Sequence, residues 1–87
     1  MAEYAITFSR SARKELERLP RQLVERVFPK IESLAFQPRP AGCKKLKGAQ
    51  NLWRIRVGDY RVVYSVNGSS RIVDITAVRH RSEAYRD

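Results

Sequence analysis

The sequence predicts an α+β domain with the element order β-α-α-β-β-β: a small antiparallel-rich sheet with a helical hairpin on one face. Three observations carry this. Residues 52–66, LWRIRVGDYRVVYSV, alternate as two strands on either side of Gly58-Asp59. Apolar residues between positions 12 and 35 recur at helical spacing, broken at Pro20. Runs rich in β-formers, EYAITF at 3–8 and RIVDITAV at 71–78, stand near the two ends of the chain. Eighty-seven residues with 43% apolar content support one core and one domain, 1–87, and argue against wholesale disorder.

The hairpin sets the frame. Glycine at the first central position suits a type II′ two-residue turn. That turn places Val57 opposite Tyr60, Ile55 opposite Val62 and Trp53 opposite Tyr64, which is one continuous apolar face. The other face pairs Arg56 with Arg61 and Arg54 with Val63. Like charges directly opposed on a sheet are destabilising, so three arginines here mark either a polyanion site or a strand face that splays into water. The pattern alone leaves both readings open.

The remaining elements follow in order. Residues 3–8 form a first strand. Ser9 is a good N-cap for a short helix whose apolar positions are Ala12, Leu16 and Leu19. Arg10, Arg13, Lys14 and Arg18 interleave with Glu15 and Glu17 and read as its solvated face. Pro20 ends it. A second helix starts near Arg21 with the stripe Leu23, Val27, Ile31 and Leu34, widened by Val24, Phe28 and Ala35. Pro29 falls inside it, at an expected cost of about 3 kcal/mol, which predicts one kinked helix or, as the alternative, two shorter ones. Residues 37–51 are a basic, turn-rich connector with a short edge strand around 44–47. Asn67-Gly68-Ser69-Ser70 is a turn, 71–78 the last strand, and 79–87 a polar tail. A four-residue loop at 67–70 would set Val66 opposite Arg71 and Val62 opposite Ile75. Arg79 would then share the helix-covered face, and His80 the arginine face, unless the chain bulges or turns near the strand end. The aromatic residues Trp53, Tyr60 and Tyr64 align with the core side. The arginine side is expected to remain open.

Charge narrows the function. Net charge is +9, and residues 39–61 alone carry a balance of +6. That excess points to nucleic acid or an acidic protein as the ligand, bound in a salt-sensitive way. Lys44, Lys45 and Lys47 are either a plain solvated run or, as the +6 region around them favours, RNA-backbone contacts. The single cysteine, Cys43, cannot form an internal disulfide, which suits a reducing cytoplasm. No run is long enough to span a bilayer, and the lysines adjoin no amphipathic membrane-surface helix. One histidine and one cysteine give no metal-ligand spacing, no glycine-rich phosphate loop follows a strand, and neither a serine triad nor a cysteine-protease arrangement is supported. No cofactor is implied.

The runs KKLKG (44–48), LWRIRVGDYRVVY (52–64) and RHRSEAY (79–85) resemble the RelE branch of the RelE/ParE toxins, and the resemblance covers nearly the whole chain. It implies the RelE-like microbial ribonuclease fold and a toxin of a bacterial or archaeal type II toxin–antitoxin pair. RelE-like members enter the 70S ribosomal A site and cut mRNA without a metal. The ribose 2′-hydroxyl attacks the adjacent phosphate and leaves a 2′,3′-cyclic phosphate and a free 5′-hydroxyl. A small antitoxin neutralises the toxin, and operator DNA is met only through the antitoxin complex. By the same resemblance the catalytic set maps onto Arg54, Arg56, Arg61, Arg79 and Tyr85, with Arg81 among the RNA contacts. Family members often carry lysines where this chain has Arg54 and Arg56. Arginine effectively cannot lose its proton, so the general base is sought in Tyr85, His80 or the ribosomal RNA. The segment RIRVGDYRVVY does not by itself separate the RNA-cleaving branch from the gyrase-binding ParE branch, and a toxin scaffold without catalysis is a further alternative.

Overall fold

A computed structural model describes residues 3–48 and 51–82. The elements are β1 (Ala5–Phe8), α1 (Arg10–Glu17), α2 (Arg21–Ser33), β2 (Lys44–Lys45), β3 (Leu52–Val57), β4 (Tyr60–Asn67) and β5 (Ile72–His80). They build one sheet in the order β1-β5-β4-β3-β2. β1 lies parallel to β5, and every other pair is antiparallel. No described helix is long and apolar enough to cross a membrane.

Local chemistry accounts for the helices. Ser9 is extended, and its hydroxyl accepts from the Ala12 N–H at 3.1 Å, which caps α1. Pro20 precedes the first turn of α2, where a missing N–H costs nothing. A single helix runs through Pro29. Pro29 and Glu25 both lie on the exposed side, so water can serve the carbonyl that proline leaves without a donor. Both helices press one sheet face. Ala12, Val27, Ile31 and Leu34 meet Ile55, Val62, Tyr64, Val66, Val73 and Ile75 in the main core. Tyr64 is fully buried there, and its hydroxyl donates to the Pro38 carbonyl at 2.7 Å, tying the linker after α2 to the sheet. Burial, reinforced by Cys43, pushes this phenol well above the ordinary tyrosine range.

The β3–β4 register agrees with the sequence reading at every pair, from Trp53–Tyr64 to Arg56–Arg61. Gly58 has φ +60, and Asp59 keeps an ordinary negative φ, as a type II′ turn requires. The β4–β5 register differs from expectation. β4 continues to Asn67, the loop is 68–71 with Arg71 at φ +56, and Val66 pairs with Val73, not Arg71. A bulge then follows: Val63 pairs with Ala77 and Tyr64 with Ile75, so Thr76 is the extra residue. Its hydroxyl donates to the Val63 carbonyl at 3.1 Å, and its own carbonyl accepts from the Ser9 hydroxyl at 3.1 Å. Beyond the bulge Val62 faces Val78, not Ile75, and strand parity has changed. The last strand also runs to His80, so Arg79 and His80 belong to the sheet and not to a tail.

The second sheet face is less open than expected. Leu46, Val63 and Ala77, with Leu52 against them, form a small apolar cluster on it. Arg54, between Val63 on β4 and Lys44 on β2, is only 4% exposed.

Candidate functional site

The bulge assembles the site. Arg56 on β3 stands opposite Arg61 on β4, and Arg61 stands opposite Arg79 on β5. Three arginines on neighbouring strands therefore form a row across the sheet, spaced about 5 Å per strand. Directly opposed like charges work against a sheet by a few tenths to about 1 kcal/mol per pair. An anion laid across the row converts that repulsion into attraction. Arg56 is exposed, while Arg61 and Arg79 are half-buried.

A cavity of about 300 Å³ opens at the hairpin end of this row, lined by Arg56, Gly58, Asp59, Tyr60, Arg61 and Arg81. Arg81 is brought in by its backbone, whose N–H donates to the Asp59 carbonyl at 2.8 Å. Three guanidinium groups around one cavity can grip a phosphate by paired hydrogen bonds. Arg54 shares the row's face two residues earlier on β3, but its burial makes it a flank of the row and not part of this cavity's wall.

The lysines divide. Lys44 pairs with Arg54 and so lies on the arginine side. Lys45 lies on the other side, its Nζ 6.0 Å from the Trp53 ring centroid, near Arg39 at 5.2 Å from the same ring. Lys47 is exposed in the turn after β2 and lines none of this cavity. Tyr85 lies outside the described residues.

His80 is the clear correction. The simple alternation placed it beside the arginines. The bulge puts it opposite Tyr60, whose ring it meets edge-on at 5.4 Å, with Nδ1 2.9 Å from the Ser82 hydroxyl. It lines a different cavity, of about 440 Å³, with Leu23, Arg26 and Val27 on the helix side of the sheet. Arg79, which the motif indicated, is the residue on the row.

Sequence reasoning missed Glu15, which it read as part of a solvated face. Its carboxylate accepts from the Arg79 Nε at 2.7 Å and from the Val78 N–H at 3.0 Å, and its side chain is only 23% exposed. A signal was present: Glu15 fills the i+3 slot of the Ala12–Leu16–Leu19 stripe, so it faces the sheet.

Known proteins resemble this chain in sequence and in overall fold. Residues 6–85 match the family model for the ParE toxin of the type II toxin–antitoxin system parDE. Toxin RelE3 of Methanocaldococcus jannaschii is 33% identical over 84 residues, covering 92% of this chain and 93% of that protein. Toxin RelE of Mycobacterium tuberculosis is 32% identical over 87 residues, covering 95% and 87%. The crystal structure of the archaeal RelE–RelB complex from Pyrococcus horikoshii contains a chain that superposes with a TM-score of 0.80 at 31% identity, over 94% of this chain and 99% of that one.

Proposed function

Since this chain belongs to the RelE/ParE superfamily of toxin–antitoxin toxins, we propose that it is a RelE-like endoribonuclease that cleaves mRNA in the ribosomal A site. The observation that carries this reading is the Arg56–Arg61–Arg79 row, which ends in a cavity shared with Arg81. Metal-free cleavage builds negative charge on the phosphate as the 2′-hydroxyl attacks. Positioned guanidinium groups stabilise that charge most where solvent is reduced. In this reading Arg61 and Arg79 stabilise the pentacoordinate phosphorus, Arg56 and Arg81 hold the scissile and next phosphates, and Arg54 reinforces the field from its buried place. Lys44 extends the track along the RNA backbone. Arginine does not serve as base at neutral pH, so the proton of the 2′-hydroxyl goes to Tyr85 or to a group of the ribosomal RNA. The products are a 2′,3′-cyclic phosphate and a 5′-hydroxyl.

The partner is a cognate antitoxin, as in the RelE–RelB complex of the Pyrococcus relative. A surface suited to it lies beside β1, which is an edge strand among the described residues. Phe28 and Phe36 are 38% and 57% exposed there, around a cavity of about 340 Å³ shared with Ile6, Phe8 and Ala35. Exposed apolar patches of this kind mark protein interfaces.

Primer extension on an mRNA during in-vitro translation tests the reading. New 5′ ends, read as cDNA stops, are expected within codons, only on translating ribosomes, and are lost with Arg61→Ala and with Arg79→Ala. Cleavage that survives both substitutions refutes the assignment. DNA damage on expression, with intact mRNA, would place the chain with gyrase-binding toxins instead.

A further inference from the structure

We propose that Glu15 is a positioning residue for the cleavage, holding the Arg79 guanidinium in the plane it needs at the phosphate. The inference rests on the ribonuclease reading above and adds a residue on α1, outside the arginine row.

The sheet edge at the far end of β5 is incomplete among the described residues. β1 ends at Phe8, opposite Ile75, so among the described residues no strand pairs with residues 76–80 of β5 on that side. Their outward polar groups need other partners. α1 supplies them: the Ser9 hydroxyl donates to the Thr76 carbonyl at 3.1 Å, and Glu15 Oε1 accepts from the Val78 N–H at 3.0 Å. A side chain thus does for Val78 what a paired strand would do. That first bond fixes the carboxylate. Its second oxygen then takes the Arg79 Nε at 2.7 Å, a charge-assisted geometry. A guanidinium has five N–H donors in one rigid plane. A bond at Nε from a carboxylate already tied to the backbone therefore sets the orientation of the whole fork. The ion pair is only partly solvated, with side chains 31% and 23% exposed, so its geometry is not averaged away by water.

The Glu15→Gln variant separates this role from plain edge capping, because the amide oxygen can still accept from Val78 while the charge is lost. In single-turnover cleavage on programmed ribosomes, Glu15→Gln is expected to lower the rate constant about tenfold, the scale of one charge-assisted bond lost at the transition state. The half-saturating protein concentration and the melting temperature should stay near wild type. In an Arg79→Lys background the same substitution should change the rate less than about twofold, since coupled residues are non-additive. In nitrogen-15 spectra of the free protein, the Arg79 Nε–H should exchange slowly in the wild type and quickly in Glu15→Gln. A wild-type rate in Glu15→Gln, an undiminished tenfold loss in the Arg79→Lys background, or an Arg79 Nε–H equally labile in both proteins overturns the positioning role. A wild-type protein that cuts nothing on active ribosomes refutes the ribonuclease reading itself, and the positioning role falls with it.

Discussion

Replacing Tyr64 by Phe gives the sharpest test of how the core is put together. The phenol is fully buried and donates to the Pro38 carbonyl at 2.7 Å. At pH 7 the substitution removes that bond and leaves the carbonyl without its donor, at a cost of about 1 kcal/mol. At high pH the balance changes. Burial raises the folded-state pKa of Tyr64 above its ordinary value, so the folded protein keeps the proton that the unfolded chain gives up. Wild-type stability from this group is therefore fully present below about pH 10 and is lost as pH rises from there through the folded value. By pH 11 the unfolded chain gains about 1.4 kcal/mol from ionising this one phenol. Phenylalanine cannot ionise, and the remaining tyrosines and lysines are common to both proteins. Urea denaturation at pH 7 and pH 11 should show Tyr64→Phe less stable at the first and equal to or more stable than wild type at the second. A stability gap of the same size at both pH values would refute the claim that the phenol is held neutral by burial.

Two further outcomes are expected. Ser9→Ala removes both the α1 cap and the donor to the Thr76 carbonyl, so it should cost about 1 kcal/mol and lower the melting temperature by about 4–8 °C, measured by thermal unfolding. Lys44→Ala should reduce the slope of log affinity for ribosomes against log salt by nearly one; Lys45→Ala should change it less, because that side chain stands over Trp53 on the opposite face.

The hairpin was legible in the sequence because its determinants are local. Gly58 supplies the positive φ of a tight turn, and a two-residue turn leaves no freedom of register. The helices were legible for the same reason, through the Ser9 cap and the stripe ending in Ile31 and Leu34. The β4–β5 pairing was not, because the bulge is decided at a distance, by Thr76 bonding to Val63 and to Ser9. Its trace in the sequence is the adjacent pair Ala77-Val78, which breaks the alternation of Val73 and Ile75 and was read through as one regular strand. That single extra residue explains both outcomes at the site: Arg79 arrives on the row, and His80 leaves it. Glu15 was missed because charge was allowed to outweigh position within the stripe. The burial of Arg54 depends on Leu46 and Val63 being brought beside it, which strand alternation alone does not reveal.

The position of β5 between β1 and β4 also governs the order of events during synthesis. Ala5 meets Ile72, and Phe8 meets Ile75, across most of the chain. β1 has no partner until β5 has emerged, and contacts of such large sequence separation form late and slowly. Arg79 lies near the end of that same strand, so the row of guanidinium groups is closed only once β5 has been made and paired. A nascent or truncated chain lacking β5 has neither a completed sheet nor a completed row. The topology thus ties completion of the arginine row to completion of the sheet: one strand, β5, closes both.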